Sequence, residues 1–596
     1  MAHKFLLLST LLLAFSGSIL AQNGTIKGSI VDSKTKEPLI GASVVIEGTS
    51  KGAAADLDGN YIIPGVAPGT YTLVVYYVSY ETITKKGVSV TKDKETIVDF
   101  LMNPDQLNLD QVEIVARANR ESENILLGEQ RKSLFAIQAV GAVELSRKGI
   151  ADAQAAVAQV SGISKQEGVK NVFVRGLGDR YNATLLNGFP IPSEDPEYKN
   201  IALEFFGTDI IQNIGVNKVF SASNVGDVGG AVIDISSKEL TDDSAFAVDL
   251  SAGINATAIK NDFLRQDGSN YLGFANTNRP TQNQHNFPNS LDPTKVSFPL
   301  NHGYAISGGK MFRIGKNNNP LSFFAVASHG TSFSYTKEIV RNTTSNGTIF
   351  QDQNGDKYSQ TTNQLVLANA NYEMNHRHNI NYNFMLIHVN DQYVGEYGGL
   401  QTEAFQSSPD LSGIIRRQQT NDNLLMVNQL VSDWKLSGIT RLSVGATYNR
   451  VKGLEPDRRE NYFTHVEGAR YNLTRSNRNK RFFSDLNNND FNAKAALSIK
   501  LNDRFDTENS FVQVGYVGRF VIDKFKAVEY NYSPLGMADF TMENLSLDKL
   551  YEDNISQGLL TMDMGETNSY KVLKFIHSGF AEVSYRLAEK LAGNAG

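Results

Sequence analysis

The stretch RGLGDRY, residues 175–181, places two glycines beside an arginine, an arrangement found where a backbone loop binds phosphate. The dinucleotide-binding motif G-x-G-x-x-G requires its third glycine where Tyr181 stands, so that the following helix can pack closely. A P-loop requires a closing Gly-Lys-Ser/Thr, which this stretch lacks. The chain continues instead with NATLLNG, which ends in an Asn-Gly turn signal. A nucleotide site is therefore not favoured here.

Two other patterns bear on metal chemistry. DLDGNY, residues 56–61, has its glycine at the fourth position of the loop, whereas an EF-hand needs it at the sixth, so a hairpin turn is favoured over calcium binding. None of the nine histidines begins an H-x-x-E motif, and H-E-x-x-H is absent. The one close pair, His376 and His378, lies in a predicted turn and is expected to be solvated. We predict no catalytic residue, no metal site, no cofactor and no enzymatic activity.

The N-terminus predicts export. Lys4, an apolar run over residues 5–15 and small residues before Ala21 form a secretory signal peptide over residues 1–21. The chain has no cysteine, so it contains no disulfide and no lipid-modified N-terminus. Its net charge of -6 argues against a nucleic-acid partner. A mean hydropathy of -0.28 fits a soluble secreted protein, and it also fits a transmembrane β-barrel, whose strands alternate.

Residues 22–103 predict a small β-sandwich. Short β-prone runs such as ASVVIEG, YIIPGV and TYTLVVYYVSY are separated by turn signals, and period two places Tyr71, Leu73, Val75 and Tyr77 on one face. The stretch GTIKGSIVDSKTKEPLIGASVVIEGTSKGAAADLDGNYIIPGVAPGTYTLVV resembles the carboxypeptidase-regulatory-like domain family. The resemblance implies a transthyretin-like sandwich and no peptidase activity.

Residues 125–240 mix helical and β patterns. ELSRKGIADAQAAVAQVSGIS is predicted to be helical over its alanine-rich middle, with Gly162 as a stop signal. The next two stretches are NVFVRGLGDRYNATLLNGFPIP and IIQNIGVNKVFSASNVGDVGGAVIDISSK. This order resembles the α+β plug domain of TonB-dependent outer-membrane receptors. The glycines of RGLGDRY would then allow tight turns, with Arg175 and Arg180 as ion-pairing residues. The plug-motif residues are Arg175, Gly176, Gly178, Arg180, Tyr181, Asn187, Gly188, Gly229 and Gly230.

Residues 104–124 link these two domains and contain an isolated β-prone segment, LDQVEIVA. It is either linker, one more sandwich strand, or a strand kept free to add to the edge of another protein's sheet. The resemblance implies the last of these, because such receptors carry their TonB box here, although Gln111 and Glu113 depart from the commoner valine-rich form. The predicted box residues are Leu109, Asp110, Gln111, Val112, Glu113, Ile114 and Val115.

Residues 241–596 predict the N-terminal portion of an antiparallel transmembrane β-barrel. In RLSVGATYNRV, Leu442, Val444, Ala446 and Tyr448 oppose Arg441, Ser443, Thr447 and Asn449. Such alternation fits a lipid-facing exterior and a wet lumen, and also a half-buried sandwich. Connections alternate between long and short, which favours the barrel. About ten strands are predicted, near 245–259, 302–313, 320–335, 358–374, 379–394, 414–436, 441–453, 491–501, 509–533 and 570–590. The fold class is thus mainly β.

Because barrels that hold a plug have about 22 strands, we expect this chain to be the N-terminal part of a longer receptor. The resemblance implies TonB-driven import of a scarce nutrient, which is a siderophore, another metal chelate, a peptide or a glycan. The expected location is the outer membrane, with the N-terminal domain in the periplasm. Expected partners are the TonB C-terminal domain, membrane lipid and lipopolysaccharide, and a small extracellular ligand. The alternative function is a surface adhesion or assembly scaffold without energy coupling.

A sandwich ahead of the TonB box is common in receptors from the Bacteroidetes. Their nutrient-importing subgroup is partnered by a surface lipoprotein, which the resemblance adds to the candidate partners, and typically carries VIDGVP in the plug. LLNGFP stands at residues 185–190 here, and this departure weakens a glycan-importer assignment. The polar stretch 454–490 is predicted to be an outer loop that helps to select an anionic ligand, because guanidinium groups suit carboxylates and phosphates. Contact of these basic residues with lipopolysaccharide phosphates is the other interpretation. The ligand-contact candidates are Arg475, Arg478, Arg481 and Tyr471.

Overall fold

The computed structural model describes residues 23–33, 35–49, 51–77, 80–103, 120–133, 137–166, 169–219, 221–224, 226–280, 285–375, 377–474, 478–501, 510–588 and 591–596. The chain divides into two compact units, Met1–Lys132 and Ser133–Gly596. The predicted signal peptide and the predicted TonB box lie outside the described residues.

The first unit contains the predicted β-sandwich. One sheet is built around β1 (Gly24–Asp32), which pairs with β4 (Asn60–Val66), β7 (Glu95–Ile97) and β8 (Phe100–Met102). The second has the order β3-β2-β5-β6, with β2 (Ser43–Ile46), β3 (Gly52–Ala54), β5 (Gly69–Tyr76) and β6 (Ile83–Val90). Leu73 and Val75 are fully buried in the core, and Tyr71 and Tyr77 pack against it, as period two predicts. Helix α1 (Glu123–Lys132) completes the described part of this unit.

The DLDGN turn connects the two sheets, because β3 and β4 belong to different sheets; the expected hairpin is therefore wrong. Gly59 has a φ of 78°, and the Asp56 carboxylate accepts hydrogen bonds from the backbone N–H groups of Asp58 at 3.0 Å and Asn60 at 2.7 Å. This carboxylate is used by the turn itself.

The second unit begins with the plug, a five-stranded sheet in the order β13-β12-β15-β14-β9. The β12–β15 pair is parallel and the other pairs are antiparallel. The strands of this sheet are β9 (Ile137–Gly141), β12 (Ala183–Leu186), β13 (Phe189–Pro190), β14 (Ile211–Asn217) and β15 (Val232–Ser237). A separate pair comprises β10 (Ile163–Ser164) and β11 (Phe173–Val174). The helices are α2 (Ala142–Arg147) and α3 (Ala153–Val157), with 3-10 segments at Asp179–Tyr181, Leu203–Phe205 and Thr208–Ile210.

The alanine-rich helix is shorter than its pattern suggests. The Asp152 side chain caps the N-terminus of α3 by accepting a hydrogen bond from the Ala155 backbone N–H at 2.8 Å. Gly162, with a φ of 78°, ends the segment as predicted. The short apolar helix packs into the plug core, where Ala153, Ala156 and Val157 are fully buried.

The rest of the unit is one large antiparallel sheet in which each long strand pairs with the next long strand in the chain. The ten long strands overlap the ten predicted ranges and are β16 (Ser244–Ile254), β19 (Leu300–Ile314), β20 (Asn319–Thr343), β21 (Ile349–Asn375), β22 (His378–Gln401), β23 (Ser412–Lys435), β24 (Thr440–Glu467), β26 (Asn479–Lys500), β27 (Phe511–Pro534) and β30 (Asn568–Ala588). The smaller elements are β17 (Phe263–Arg265), β18 (Thr294–Val296), β25 (Arg470–Leu473), β28 (Phe540–Thr541), β29 (Leu560–Met564), β31 (Leu591–Ala595), α4 (Ala256–Lys260) and α5 (Leu547–Ser556).

Several strands are longer than predicted. β24, for example, has 28 residues and β21 has 27, although about 9–11 residues suffice to cross a membrane. The expected loop at 454–490 is therefore wrong, since most of it forms the upper parts of β24 and β26. A segment rich in charged residues can be a solvated loop or a strand whose charges pair with those of its neighbours. Amino-acid composition therefore does not distinguish a loop from a strand here.

The two faces of the sheet follow the predicted alternation. Thr447 and Asn449 are buried on the side that holds the plug, while Ala446 on the other side is exposed. His378 is not in a solvated turn as expected, because it starts β22 and its ring lies 4.7 Å from that of Trp434; His376 lies outside the described residues. No helix within the described ranges is long and apolar enough to cross a membrane.

Candidate functional site

The residues singled out in RGLGDRY form a tight turn in the plug. Val174 and Leu177 exchange both backbone hydrogen bonds at 2.9 Å. The two residues between them, Arg175 and Gly176, have φ values of 51° and 80°, the positive values that a primed two-residue turn requires. The predicted positive φ at Gly176 is therefore confirmed, and Arg175 shares this conformation.

A second turn of the same kind joins β12 to β13. Leu186 pairs with Phe189, and Asn187 and Gly188 between them have φ values of 51° and 79°. Asparagine and glycine adopt this conformation at the lowest cost, which explains the LNG sequence. The side-chain oxygen Oδ1 of Asn187 also accepts a hydrogen bond from the Ser237 backbone N–H at 2.9 Å, and this bond ties the turn to β15.

The other motif glycines differ from one another. A Cβ at Gly230 would lie 2.2 Å from the Asn182 Oδ1 atom, a distance that side chains do not tolerate. At Gly229 the nearest atom would be a ring carbon of Tyr181 at 3.8 Å, and at Gly178 a ring carbon of Phe173 at 3.4 Å, both ordinary contacts. Close packing therefore requires glycine at Gly230 only among these three.

The predicted ion pairs of Arg175 and Arg180 are not formed within the described part of the chain. Both arginines are exposed, and 55% of the Tyr181 surface is also accessible. The positive φ of Arg175 turns its side chain away from the plug core at the tip of the turn. Asp179 instead accepts hydrogen bonds from Asn200, whose side-chain amide lies 2.9 Å from its carboxylate.

Apolar side chains attach the plug to one face of the large sheet. The buried core of the plug is continuous with inward-facing residues of β20 to β24. These wall residues are Val326, Leu365, Leu367, Met385, Ile387, Val389, Leu425, Val427 and Val451. The lumen wall beside the plug is thus not purely polar, because the plug rather than water covers it.

Polar contacts fix the position of the plug on this face. Gln429 on β23 donates to the Leu186 carbonyl oxygen at 2.9 Å and accepts from the Asn187 side chain at 2.8 Å. Asn449 on β24 donates to the Pro190 carbonyl oxygen at 3.1 Å. All three bonds reach the β12–β13 hairpin, so this hairpin is the best-defined attachment point of the plug.

The backbone of the plug also approaches the sheet closely at Gly453. A Cβ at this glycine would lie 2.1 Å from the Glu194 carbonyl oxygen. The Glu194 carboxylate accepts from the Ala202 backbone N–H at 3.2 Å, and Lys170 lies 3.9 Å away. Burial raises the pKa of Glu194, and Lys170 only partly opposes this effect.

Asp234 on β15 is the acidic residue closest to the attachment hairpin. Its carboxylate accepts from the Gly188 backbone N–H at 2.9 Å. Burial raises its pKa to about 6, although the Gly188 N–H and the positive charge of Lys494 act in the opposite direction. Ionisation of this carboxyl therefore opposes the folded arrangement around the hairpin.

Beyond Gly453, the same face of the sheet carries charged and aromatic side chains that we call the charged wall. Its cations are paired: Arg458 lies 3.0 Å from Glu455 and 3.2 Å from Glu460, and Lys480 lies 2.9 Å from Glu529. Lys357 lies 3.6 Å from Glu338 and Arg417 lies 3.8 Å from Glu460. The wall comprises Glu338, Lys357, Tyr393, Tyr397, Arg417, Glu455, Arg458, Glu460, Lys480, Phe482 and Glu529.

The aromatic members of the charged wall have partners. Lys357 lies 5.0 Å above the ring of Tyr393, and Arg458 lies 4.3 Å above the ring of Phe482. The Tyr397 hydroxyl donates to Glu338 at 2.7 Å. Four cations and four carboxylates balance on this surface, so it has no net charge to attract an anion.

Three charged residues are fully buried on the opposite face of β24 and β26. Asp457, at a bulge with a φ of 94°, accepts from Arg459 Nε at 3.0 Å and from Arg481 Nε at 2.7 Å. Arg459 also donates a hydrogen bond to the backbone carbonyl oxygen of Asp267 at 2.7 Å, and Arg481 donates to that of Asn289 at 2.8 Å. This buried triad therefore fastens the backbone at Asp267 and at Asn289 to the sheet.

The ligand-contact candidates are only partly accessible. Arg481 is 1% exposed and belongs to the buried triad, so it is not available to a ligand. The Arg478 guanidinium lies 5.6 Å above the ring of Tyr462, and Tyr471 on β25 contacts the ring of His465 at 5.7 Å. Arg475 lies outside the described residues. Arg481 is ion-paired, as are Arg458, Arg459, Arg470 and Lys480 of the same stretch, and residue spacing does not reveal this pairing.

Metal ligands do not cluster in the described ranges: no group of three or more His, Cys, Asp or Glu side chains there is arranged to hold an ion.

Two domain families match the chain. Residues 26–114 match the CarboxypepD_reg-like domain, and residues 129–232 match the TonB-dependent Receptor Plug Domain. The chain is 25% identical over 270 residues to TonB-dependent receptor SusC of Bacteroides thetaiotaomicron, a match that covers 43% of this chain and 25% of SusC. It is 27% identical over 148 residues to TonB-dependent receptor P39 of Formosa agariphila, covering 24% of this chain and 13% of P39.

Among solved structures, the chain aligns with the ferric yersiniabactin uptake receptor FyuA from Yersinia pestis. It aligns with a TM-score of 0.39 and 12% identity over 76% of this chain and 62% of FyuA. The matched regions span a quarter or less of each of the two curated relatives.

A plug domain packed on one face of a long-stranded antiparallel sheet is the arrangement that the resemblance to TonB-dependent outer-membrane receptors implies. The domain matches show that the chain carries the plug domain of TonB-dependent receptors after a carboxypeptidase-regulatory-like domain, and the chain is similar to TonB-dependent receptors of Bacteroidetes. This family is one of receptors and transporters and not an enzyme family.

The neighbouring glycines Gly230 and Gly229 provide a matched test of plug packing. Gly230→Ala is expected to destabilise the plug by about 1–3 kcal/mol, because Asn182 is buried and held by hydrogen bonds and cannot move aside. Gly229→Ala is expected to change stability by less than about 0.5 kcal/mol. Limited proteolysis of the plug in the detergent-solubilised receptor measures the difference. Equal resistance of the two variants would contradict the packing argument.

The raised pKa of Asp234 predicts a pH dependence. Its folded pKa of about 6 exceeds the ordinary value near 4, so its contribution to stability is full below pH ~4 and is lost as pH rises through 6. Hydrogen exchange of the plug, corrected for intrinsic rates, should therefore show less protection at pH 7.5 than at pH 5. Asp234→Asn should reduce this pH dependence, whereas the exposed control Asp209→Asn should not. An unchanged profile in Asp234→Asn would refute the assignment.

The buried triad predicts that Arg481 stabilises the sheet rather than recognising a ligand. Arg481→Gln leaves a buried carboxylate with one partner and should cost about 3–5 kcal/mol. Arg470→Gln removes an ion pair with Glu467 at the surface, where the Arg470 side chain is 51% exposed. This change should lower the free energy of unfolding by less than about 1 kcal/mol. Denaturant unfolding in detergent compares the two. If Arg481→Gln unfolds at the wild-type midpoint, the triad is not structural.

Proposed function

We propose that the receptor imports a scarce extracellular nutrient across the outer membrane by energy-coupled rearrangement of the plug. The observation that carries the proposal is the attachment of the plug through one hairpin. Gln429 and Asn449 bond to residues 186–190, and the remaining contact is largely apolar. A force on the N-terminal end of the plug would have to break few directional bonds before the domain moved.

The segment that receives this force is residues 109–115 in our proposal. An extended segment adds to a sheet edge through main-chain hydrogen bonds, and the C-terminal domain of TonB would supply that edge. The sandwich match extends to residue 114, whereas the last described sandwich strand ends at Met102. The segment is thus either a coupling strand or an extension of the sandwich domain, and these two assignments predict different mutant phenotypes.

The ligand would first meet the charged wall on its way to the plug. This surface offers aromatic rings, such as Tyr393, beside paired charges and the Gln419 amide, which accepts from the Tyr393 hydroxyl at 3.2 Å. Because the charges balance, the wall suits a neutral polar ligand better than the anionic chelate inferred from the arginine-rich sequence. In this arrangement the N-terminal sandwich lies in the periplasm, on the side from which TonB acts.

The coupling role of residues 109–115 can be tested by proline substitution. Val112→Pro or Ile114→Pro removes a ladder donor and should abolish uptake, while ligand binding at the cell surface persists. Uptake of the nutrient that depends on the wild-type receptor is measured together with binding to energy-depleted cells.

The control is Gln106→Pro, which lies ahead of the segment and beside the existing Pro104. It should leave uptake within about twofold of wild type. Normal uptake in Val112→Pro and Ile114→Pro would refute the coupling role. Simultaneous loss of surface binding and of receptor in the membrane would instead assign the segment to the sandwich fold.

A further inference from the structure

The outward face of the large sheet, which lies opposite the plug, begins with an apolar band. On β22, Leu386 faces outward because its neighbours Met385 and Ile387 belong to the plug-facing core. Its cross-strand partner on β21 is Val366, which is exposed. Apolar side chains in this position face the hydrocarbon of the membrane.

The face becomes polar directly above this apolar band. Two residues further from the β21–β22 turn, the outward side chains are Gln364 on β21 and His388 on β22, which are direct cross-strand partners. His329 on β20 is the partner of Gln364 on the other side. These three side chains therefore form one row that lies outside the hydrocarbon.

A short hairpin between β17 and β18 covers the row. Residues 268–276, which we call the flap, are closed by a hydrogen bond of 2.7 Å from the Asn276 backbone N–H to the Gly268 carbonyl oxygen. Gly273 in the flap has a φ of 83°, and a Cβ there would lie 2.8 Å from the Asn390 Cβ atom and 3.3 Å from the Thr362 Cβ atom. The backbone of the flap thus touches the sheet, and Thr362 is fully buried beneath it.

Aromatic rings of the flap lie on the two histidines. The Phe274 ring stacks on the His388 ring at 4.1 Å with the planes inclined by 5°, and the Tyr271 ring lies 5.8 Å from the His329 ring at 25°. Tyr271 and Phe274 nevertheless remain 64% and 49% exposed. Docking of the flap therefore buries little apolar surface, and its polar contacts carry more of the binding.

The Gln364 amide fixes the charge of both histidines. Its Nε2 atom donates to the Leu272 carbonyl oxygen at 2.8 Å, which sets the orientation of the amide, and lies 3.1 Å from His329 Nδ1. His329 Nδ1 must accept this bond, so the ring is uncharged. The Gln364 Oε1 atom faces His388 Nδ1, and the Asp422 carboxylate lies 2.7 Å from His388 Nε2. Both nitrogens of His388 face acceptors, which only the imidazolium form satisfies.

The same side chains hold the backbone of the flap. Gln364 binds the Leu272 carbonyl oxygen, and the second carboxylate oxygen of Asp422 accepts from the Ala275 backbone N–H at 2.7 Å. His388 joins these two anchors to each other. The docked position of the flap therefore depends on one protonation pattern along this chain of hydrogen bonds.

The surroundings of His329 disfavour a positive charge. Its ring lies 6.0 Å from the His302 ring and 4.9 Å from the Tyr304 ring, both on β19, and its Nε2 atom lies 3.5 Å from the Thr331 hydroxyl. Tyr271 of the flap closes the remaining side. Burial and the nearby His302 lower the pKa of His329.

Protonation of His329 would disrupt the docked arrangement. A proton on Nδ1 would meet the N–H group of Gln364, so that two donors would face each other. The new positive charge would also lie beside His302 and close to the imidazolium of His388. The Asp422 carboxylate cannot offset it, because it is already paired with His388 and the flap backbone.

We propose that the flap is a pH-sensitive device that closes on the outward face at neutral pH and opens when His329 is protonated. Because the pKa of His329 is lowered in the closed form, the stabilisation of that form is full above the ordinary value near 6.5 and is lost as pH falls through the lower value. Opening uncovers Thr362, His388 and Asp422. The plug contact lies on the other face, so this device does not rest on the proposed transport function.

The test measures access to the surface beneath the flap in the purified full-length receptor. The chain has no cysteine, so Thr362→Cys introduces a single buried thiol with little change in size. Its rate of modification by a charged methanethiosulfonate reagent is divided at each pH by the rate for the exposed control Ser345→Cys, which corrects for thiol ionisation. Gly273→Val provides a flap that cannot close, because the added side chain meets Asn390.

The relative rate for Thr362→Cys is expected to rise by between about threefold and thirtyfold from pH 7.5 to pH 5, the upper limit being that for a histidine protonated only in the open form. Adding His329→Asn, whose side-chain oxygen replaces Nδ1 as an acceptor without taking a proton, should reduce the rise to less than about twofold. The control His577→Asn, an exposed histidine on β30, should leave the rise unchanged.

The Gly273→Val variant should be modified rapidly at both pH values. A pH-dependent rise that persists with His329→Asn would overturn the proposal, and so would the absence of any rise in Thr362→Cys. Slow modification in Gly273→Val would also overturn it, because Thr362 would then be covered by something other than the flap.

Discussion

The continuous backbone hydrogen-bond ladder between the ten long strands is the constraint on which the second unit depends. In hydrocarbon an unpaired N–H or C=O group costs several kcal/mol, so a strand that crosses the membrane must be paired along its whole apolar stretch. The register between β21 and β22 runs from Gln351–Gln401 to Asn375–His378 with one irregularity near the short turn. Pairing of this length also fixes which side chains share a face. The same register therefore determines both the apolar outward face of the sheet and the face that contacts the plug.

Carrying this ladder past the membrane has consequences for the charged residues. Above the apolar band the strands remain paired, and many of their charged side chains are enclosed by other protein groups. Arg458 with Glu455 and Lys480 with Glu529 satisfy each other on the plug side, while Asp457, Arg459 and Arg481 do so on the other. In these strands ion pairs therefore stabilise the charged groups, whereas water would do so in a solvated loop. The bulge at Asp457, where register is interrupted, brings two guanidinium groups to one carboxylate.

Sequence patterns predicted the elements whose signals are local. Period two in β24, the Asn187–Gly188 turn and the Gly162 helix stop each depend on neighbouring residues only, and all are found. Patterns failed where the outcome depends on distant partners. The sequence around Arg481 does not reveal whether this side chain is solvated or buried against Asp457. The need for glycine at Gly230 depends on Asn182, which is distant in sequence. The predicted ends of several strands were wrong for the same reason.

The character of the plug contact bears on how the domain separates from the sheet. The interior of the plug contains a large apolar cluster, and unfolding the domain would expose this buried apolar surface at a cost of about 25 cal/mol per Å². Its boundary with the sheet instead includes carboxyl groups whose ionised form is disfavoured by burial, namely Asp234 and Glu194. Separation along this boundary would return those groups to water and recover their hydration. If the plug moves as we propose, its displacement as a folded body is therefore favoured over its unfolding in place, and the hairpin held by Gln429 is the polar contact that this displacement has to break.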